Sequence, residues 1–263
     1  FLPIIKLPTS IEASNSLEIV SDADLILLVT PSAHTVKTAQ SFAPFFKDTT
    51  PILICTKGMD SSGEFLSEGL QKILPNAKIG ALSGPMFAAE LAQEVPTAAT
   101  VAFKDEKLGK EVIEAISGSF FRLYYSNDTI GVQIGGMVKN VIAIASGIVE
   151  GAGIGRNAQA ALITRGLAEI VRFAKANGAN PLTLMGLSGL GDLILTANSS
   201  KSRNFSLGEA LGKGKSLAEI MSESRVVFEG AAAVDLVAKR ARSMSIDMPL
   251  CFVVDDMLKG NAK

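Results

Sequence analysis

One apolar stretch that contains a single lysine constrains this sequence more than any other feature. Between about Asp128 and Glu150 the residues are apolar nearly all round a helix, which predicts a helix inside a core. Lys139 lies in the middle of this helix, and burial disfavours an ammonium group that has no partner. We therefore expect Lys139 to pair with an acid or to take part in chemistry. The alternative is a side chain that extends along the helix to reach solvent.

Two glycines, Gly135 and Gly136, precede Lys139 by one helical turn. A glycine in a helix interior costs roughly 1 kcal/mol relative to alanine. The pair therefore predicts that another group packs closely against this turn, either a cofactor or a crossing helix.

The composition excludes several classes of function. The 263 residues include 25 basic and 26 acidic side chains without a like-charge block, so we expect no nucleic-acid partner and no anionic membrane surface as partner. Cys55 and Cys251 lie in apolar runs without metal-ligand spacing, which indicates a reduced interior and no metal site. Glycines, Gln133, Lys139 and Asn140 interrupt the long apolar helix, so we predict no transmembrane span.

The first half alternates short apolar runs with helical patterns. The runs predict strands at about residues 23–30, 51–56, 77–82, 96–103 and 120–125, with helices over about 33–46, 61–74, 86–93 and 106–117. This alternation predicts an α/β fold with a doubly wound parallel sheet. The first three strands end at Pro31-Ser32, Lys57-Gly58 and Ser83-Gly84-Pro85. We expect these ends to share one edge of the sheet, where ligands bind in such folds.

The second half is predicted to be all-helical. Helical patterns occupy about residues 129–150, 157–177, 206–213, 216–223, 229–243 and 248–259. The glycine-rich stretch 151–155 follows a helix rather than a strand, so it is interpreted as a helix connection and not as a phosphate loop. We therefore predict two domains, residues 1–128 and residues 129–263. A site between them would bring Lys139 to the strand ends.

Several candidate site residues can also be explained by an ordinary structural role. Asp192 follows Gly189-Leu190-Gly191 and fits the N-terminal cap of a helix. Arg203 fits a solvated surface charge, Lys57 an exposed strand end, and Glu229 the first turn of a helix. The single histidine, His34, follows Pro31-Ser32 at a predicted helix start, and we interpret it as a surface residue.

Ordered motifs along the whole sequence resemble the bacterial type of NAD(P)-dependent glycerol-3-phosphate dehydrogenase. They are Thr56-Lys57-Gly58, Ser83-Gly84-Pro85-Met86-Phe87-Ala88-Ala89-Glu90, Gly135-Gly136-Met137-Val138-Lys139-Asn140, Leu162-Ile163-Thr164-Arg165-Gly166, Gly189-Leu190-Gly191-Asp192-Leu193, Ser202-Arg203-Asn204 and Glu229-Gly230. The resemblance implies a partial Rossmann-like domain at 1–128, followed by a helical substrate-binding domain at 129–263. The family's Gly-x-Gly-x-x-Gly fingerprint has no counterpart before Ala23, so we expect the first part of the nucleotide-binding domain to be missing from this sequence.

The resemblance also implies roles for particular residues. Lys139 would be the acid/base lysine, with Lys57 and Asp192 beside the reacting carbon as further catalytic residues. The substrate-binding residues would be Lys57, Gly84, Met86, Lys139, Asn140, Asp192, Thr196, Ser202, Arg203 and Asn204. The cofactor-binding residues would be Lys57, Gly84, Ala88, Arg203, Val227 and Glu229. Met86 stands where the family usually has a serine or threonine.

The implied reaction is the reversible reduction of dihydroxyacetone phosphate to sn-glycerol 3-phosphate with NADH or NADPH, which feeds glycerophospholipid synthesis. Cys55 and Cys251, in apolar runs, predict a reduced and therefore cytoplasmic protein, and the apolar helices of the second half predict a homodimer. Alternatives are a hydroxyacid or 6-phosphogluconate dehydrogenase-like reductase, a lyase that forms a Schiff base on Lys139, and a non-catalytic binding fragment. Ser202-Arg203-Asn204, as a group of phosphate ligands near Asp192, favours the triose phosphate substrate.

Overall fold

The first half of the chain forms one mixed sheet with helices between its strands. The computed structural model describes residues 5–223 and 229–262. The strands are β1 (Ile26–Leu28), β2 (Ile52–Ile54), β3 (Ile79–Ser83), β4 (Thr97–Ala102) and β5 (Phe121–Ser126). The helices between them are α1 (Ser32–Phe42), α2 (Leu66–Ile73), α3 (Ala88–Leu91) and α4 (Glu106–Ile116), and short 3-10 helices cover Leu17–Asp22 and Ala43–Phe45.

The sheet has the order β1-β2-β3-β4-β5, and β4 departs from the predicted parallel direction. β1, β2 and β3 are parallel, as are β4 and β5, but β3 and β4 are antiparallel, with Ala81 opposite Ala102. The prediction of a wholly parallel sheet is therefore wrong at this pair. The connection over residues 84–96 contains only the four-residue α3, so the chain turns back instead of crossing over the sheet.

The second half is helical, as predicted. Its helices are α5 (Thr129–Gly151), α6 (Arg156–Ala176), α7 (Asp192–Ala197), α8 (Arg203–Gly212), α9 (Leu217–Glu223), α10 (Glu229–Ser243) and α11 (Pro249–Leu258). A 3-10 helix at Pro181–Met185 and a π-helical turn at Leu187–Gly191 precede α7. The sequence pattern does not predict α7 or the π turn, because four glycines within residues 178–191 break the helical periodicity. The stretch 151–155 connects α5 to α6, as interpreted from the sequence. The fold class, a Rossmann-like sheet followed by a helical half, is thus confirmed apart from the direction of β4.

Helix α5 is the centre of the helical core. Met137, Val138, Val141 and Ile144 have no exposed surface, and α6, α7, α8 and α10 pack around them. By length and composition α5 would also qualify as a membrane span, but 94% of its most apolar window is buried inside the protein. Among the described residues, α5 therefore has the environment of a core helix.

The loop after β2 belongs to the helical core rather than to the sheet. Met59 and Phe65 are 1% and 0% exposed and pack with the side chains around α5. The guanidinium of Arg240 on α10 lies 4.5 Å from the ring centroid of Phe65 and donates to the carbonyl of Gly63 at 3.0 Å. The strand end that carries Lys57 is therefore held by the second half of the chain.

Candidate active site

A cleft of about 940 Å³ lies between the strand ends and the helical half. Its lining comes from the ends of β1 and β2, from the segment around α3, from α5 and from the start of α8. The lining residues are Val29, Thr30, Cys55, Thr56, Lys57, Met86, Phe87, Ala88, Ala89, Glu90, Gln93, Lys139, Asn140, Thr196, Lys201, Ser202, Arg203 and Asn204. This volume is within the range of small-molecule sites, about 300–1,000 Å³.

Lys139 reaches this cleft from the buried face of α5. The residue is 6% exposed, and its ammonium pairs with the carboxylate of Asp192 and donates to Thr196 Oγ1 at 2.7 Å. Asp192 is fully buried at the start of α7, and Thr196 lies one turn later on the same helix. Lys139 is therefore a paired interior ammonium, and the alternative of a side chain that extends to bulk solvent does not hold.

Lys57 completes the charged group from the other side of the cleft. Its ammonium lies 2.7 Å from Asp192 Oδ2 and donates to the carbonyl of Gly84 at 3.2 Å. Asp192 thus binds one lysine on each carboxylate oxygen, and Thr196 Oγ1 lies 3.2 Å from Asp192 Oδ1. We call Lys57, Lys139 and Asp192 the charged triad. It carries one net positive charge at the base of the cleft.

The electrostatics of the triad affect Lys139 most. Burial and the positive charge of Lys57 outweigh the carboxylate of Asp192 and lower the pKa of Lys139 to about 8. An ammonium with such a pKa can release and recover a proton near neutral pH, whereas a surface lysine rarely does so. This arrangement suits a group that exchanges a proton with a bound ligand.

The predicted phosphate ligands lie at the first turn of α8. Ser202 caps this helix by accepting a hydrogen bond from the amide of Phe205 at 3.3 Å, and Arg203 and Asn204 follow in the first turn. Arg203 is exposed and forms no salt bridge with any carboxylate in residues 5–223 or 230–262, whose side chains the structure describes. The positive end of the helix dipole and an exposed guanidinium favour an anion at this place.

The remaining predicted residues divide into three groups. Met86, Ala88 and Asn140 line the cleft, and Gly84 contributes the carbonyl that accepts from Lys57. Glu229 begins α10, but its side chain, like the whole of Val227, lies outside the described residues.

The helix predicted over 86–93 is shorter than expected, at Ala88–Leu91.

Two charged residues in the cleft were not predicted as site residues. Lys201 lies 2.8 Å from Glu90, and this ion pair joins the segment before α8 to α3 across the cleft. Glu90 belongs to a motif that the resemblance already included, whereas Lys201 has only its position next to Ser202 as a signal. Thr30 and Thr56 were also missed as lining residues. Thr56 Oγ1 donates to the carbonyl of Thr30 at 2.6 Å and so ties two strand ends together.

Comparisons with known families and proteins agree along the whole chain. Residues 1–109 match the family described as NAD-dependent glycerol-3-phosphate dehydrogenase N-terminus, and residues 128–263 match the corresponding C-terminus. A glycerol-3-phosphate dehydrogenase (NAD(P)+) of Parvibaculum lavamentivorans is 48% identical over 264 residues, which cover 100% of this chain and 79% of that protein. A protein of the same name from Hyphomonas neptunium is 46% identical over 261 residues, covering 99% of this chain and 78% of the relative.

Solved structures give the same result. The crystal structure of glycerol-3-phosphate dehydrogenase from Coxiella burnetii is 37% identical, has a TM-score of 0.95, and is matched over 99% of this chain and 81% of that one. A ketopantoate reductase from Ralstonia eutropha is 16% identical with a TM-score of 0.62, which is a likeness of fold alone. The chain belongs to the NAD-dependent glycerol-3-phosphate dehydrogenase family.

Proposed function

We propose that the chain catalyses the reversible reduction of dihydroxyacetone phosphate to sn-glycerol 3-phosphate with NADH or NADPH. The observation that supports this proposal most strongly is the cleft itself, which holds a buried lysine paired with Asp192 near an exposed arginine at a helix start. A ketone with a phosphate group needs a proton donor at one end and an anion site at the other. The chain offers both, and its relatives carry the corresponding name.

The residues present fit a dinucleotide cofactor. The cleft is open at the ends of β1 and β2, where dinucleotides bind in Rossmann-like folds, and the exposed Arg203 lines it. We propose that Lys57, Gly84, Ala88, Arg203, Val227 and Glu229 contact it. When bound, the reduced nicotinamide supplies a hydride to the carbonyl carbon of the substrate.

Lys139 acts as the general acid in the reductive direction. Negative charge develops on the carbonyl oxygen as the ketone is reduced, and the ammonium of Lys139 stabilises this charge and donates its proton to that oxygen. Lys57 adds a second positive charge close to it. Asp192 holds both ammonium groups in place, and Thr196 fixes the direction of the Lys139 side chain by accepting its hydrogen bond at 2.7 Å.

The substrate phosphate binds at the start of α8. The guanidinium of Arg203 offers two parallel donors, and Ser202, Asn204 and Asn140 add hydroxyl and amide groups nearby. We propose residues 129–263 as the substrate-binding domain and residues 1–128 as the dinucleotide-binding domain. Met86 places a thioether rather than a hydroxyl at the edge of the cleft.

The proposal includes a cellular role and an assembly. We propose a cytoplasmic enzyme that supplies sn-glycerol 3-phosphate for glycerophospholipid synthesis, and a homodimer in solution. Support for the dimer comes from Leu182 and Met185, which are 76% and 52% exposed and three residues apart on one 3-10 helix. Side chains at this spacing lie on the same face.

The test measures the rate at which NADH and NADPH are oxidised in the presence of each member of a panel of candidate substrates. We expect turnover with dihydroxyacetone phosphate, and little with unphosphorylated dihydroxyacetone, 2-keto acids or sugar acids. Preference for a keto acid or a sugar acid would support the alternative reductases instead. Trapping of a substrate on Lys139 by borohydride would support a Schiff-base lyase. Binding of NADH without turnover of any of these substrates would indicate a non-catalytic chain.

A further inference from the structure

The turn of α5 that precedes Lys139 contacts the side chain of Lys57 and the turn that leads into Asp192. Gly135 faces the π-helical turn Leu187–Gly191, which leads directly into Asp192. Gly136 faces the side chains of Lys57 and Ser83. The two glycines therefore lie between α5 and the two segments that carry the other members of the charged triad.

At position 135 the contact is with backbone. A Cβ atom there would overlap the carbonyl oxygen of Ser188 and would lie 2.8 Å from its carbonyl carbon and 3.1 Å from the Cα of Gly189. Backbone in a buried turn cannot move aside as a flexible side chain can, and Ser188 is only 1% exposed. A methyl group at 135 would therefore move the π turn and, with it, the first residue of α7.

At position 136 the contact is with side chains. A Cβ atom would overlap the hydroxyl of Ser83 and would lie 3.3 Å from the Cγ of Lys57. Ser83 is 2% exposed, and its hydroxyl has no hydrogen-bond partner among the described residues. The stem of Lys57 thus passes along Gly136 beside Ser83 before its ammonium reaches Asp192.

We propose that Gly135 and Gly136 are positioning residues that set the distances within the charged triad, Gly135 by the place of Asp192 and Gly136 by the path of Lys57. Close helix packing alone would need small residues here. It would not require that one glycine lies against Lys57 and the other against the turn that leads into Asp192. The proposal rests on the proposed function for its kinetic consequences, but its geometric content can be tested without turnover.

The two glycines should have opposite effects on Lys139. The charged groups that face its ammonium are Lys57, from the loop after β2, and Asp192, from α7, while Glu90, Lys201 and Arg203 line the same cleft from α3 and the region of α8. Asp192 favours the ammonium and Lys57 disfavours it. Moving Asp192 away should lower the pKa of Lys139, whereas moving Lys57 away should raise it.

The experiment compares Gly135→Ala and Gly136→Ala with Gly166→Ala. Gly166 is a buried helical glycine on α6, and the three atoms nearest to a Cβ added there all belong to the side chain of Ile142. The pKa of Lys139 is measured by NMR titration of the lysine Cε signals, assigned with Lys139→Met. We expect the pKa to fall in Gly135→Ala, to rise in Gly136→Ala and to stay at the parent value in Gly166→Ala.

Kinetics and a rescue complete the test. We expect kcat to fall about 100-fold in both variants, the loss typical of a displacement near 1 Å, while KM for dihydroxyacetone phosphate stays within about threefold of the parent value. Adding Ser83→Ala removes the overlap at position 136, and we expect it to restore much of the kcat of Gly136→Ala but none of that of Gly135→Ala. Equal kcat and equal pKa in all three single variants would overturn the proposal. An inactive parent protein that still showed the opposite pKa shifts would refute the proposed function and leave the positioning role intact.

Discussion

At the scale of single residues, the site depends on one carboxylate that compensates two ammonium groups. Asp192 and Lys139 are almost fully buried, and Lys57 is only partly exposed. A buried charge without a partner is strongly unfavourable, so none of the three can be removed without an effect on the other two. The triad keeps one more positive than negative charge in the cleft, which matches a reaction that develops an alkoxide.

The proposed acid role of Lys139 predicts how the reaction depends on pH. In the proposed mechanism ketone reduction needs the protonated ammonium of Lys139, whose pKa is lowered to about 8. We therefore expect kcat/KM for dihydroxyacetone phosphate to fall as pH rises through about 8, and the rate of alcohol oxidation to rise over the same range. Initial rates measured in both directions across this range check the prediction. A flat profile in both directions would contradict the role of Lys139 in proton transfer.

Substitution of the shared carboxylate should affect stability and titration together. Asp192→Asn leaves two ammonium groups without compensation, so we expect a loss of about 3 kcal/mol in the free energy of unfolding. We also expect a further decrease in the pKa of Lys139, which moves the pH profile to lower values. Asp235→Asn is the control, because Asp235 pairs with Lys239 and Lys259 at the surface, and should cost less than about 1 kcal/mol. Urea unfolding of both variants measures the difference, and equal losses would contradict the account.

At the scale of elements, α5 and α8 approach each other through glycines. A Cβ at Gly208 would overlap the carbonyl oxygen of Ile144, and Gly147 lies against the backbone of residues 205–209. The close crossing of these helices sets the depth at which Arg203 and Asn204 enter the cleft. The side chains of Arg203 and Asn204 at the start of α8 are thus positioned by the packing of Gly208, one to two turns further along the helix.

Enlarging this contact should disturb both stability and substrate binding. We expect Gly208→Ala to destabilise the protein by about 1–3 kcal/mol, since backbone must move to admit the methyl group. The same displacement should raise KM for dihydroxyacetone phosphate more than it lowers kcat, because Arg203 moves and the triad does not. Gly118→Ala is the matched control, as its added Cβ meets nothing within 4 Å. Thermal unfolding and steady-state kinetics of the two variants provide the comparison. A KM unchanged in Gly208→Ala would contradict this link.

The sequence predicts most helices and strands, but it does not predict α7, the helix that supplies Asp192 to the site. Helix α5 and the strand ends follow from apolar periodicity, and the lysine in α5 indicates that a partner is required. The partner was assigned only through the family resemblance, since Asp192 in its own sequence context equally fits a helix cap. The π turn before it has no periodic signal, and the reversed direction of β4 depends on the tertiary course of the connection over 84–96. The contact between Lys139 and Asp192 joins residues 53 positions apart, which no local pattern encodes.

At the scale of the whole molecule, the sheet and the helical half are joined through shared core residues. Met59 and Phe65 come from the loop after β2 but pack in the core around α5, and Arg240 stacks on Phe65. The wall that carries Lys57 is thus continuous with the core that carries Lys139. Because the two walls of the cleft are already in place, little free energy is needed to orient the ammonium groups of Lys57 and Lys139 when the substrate binds.

The proposed homodimer is tested at the same scale. Light scattering coupled to size-exclusion chromatography should give about twice the mass of one chain at micromolar concentration. Leu182→Asp combined with Met185→Asp should shift the protein to the monomer if this exposed apolar face is the contact. A parent protein that elutes only as a monomer at these concentrations would exclude the dimer.

In the proposed mechanism the ammonium of Lys139 donates the proton in ketone reduction. The most direct test of this step is the single-turnover rate of NADH or NADPH oxidation with saturating dihydroxyacetone phosphate, for the parent protein and for Lys139→Met. We predict a loss of about 10²–10⁴-fold in this rate, the usual contribution of a general acid, with the affinity for the dinucleotide unchanged. A Lys139→Met protein that reduces dihydroxyacetone phosphate at close to the parent rate would contradict the claim.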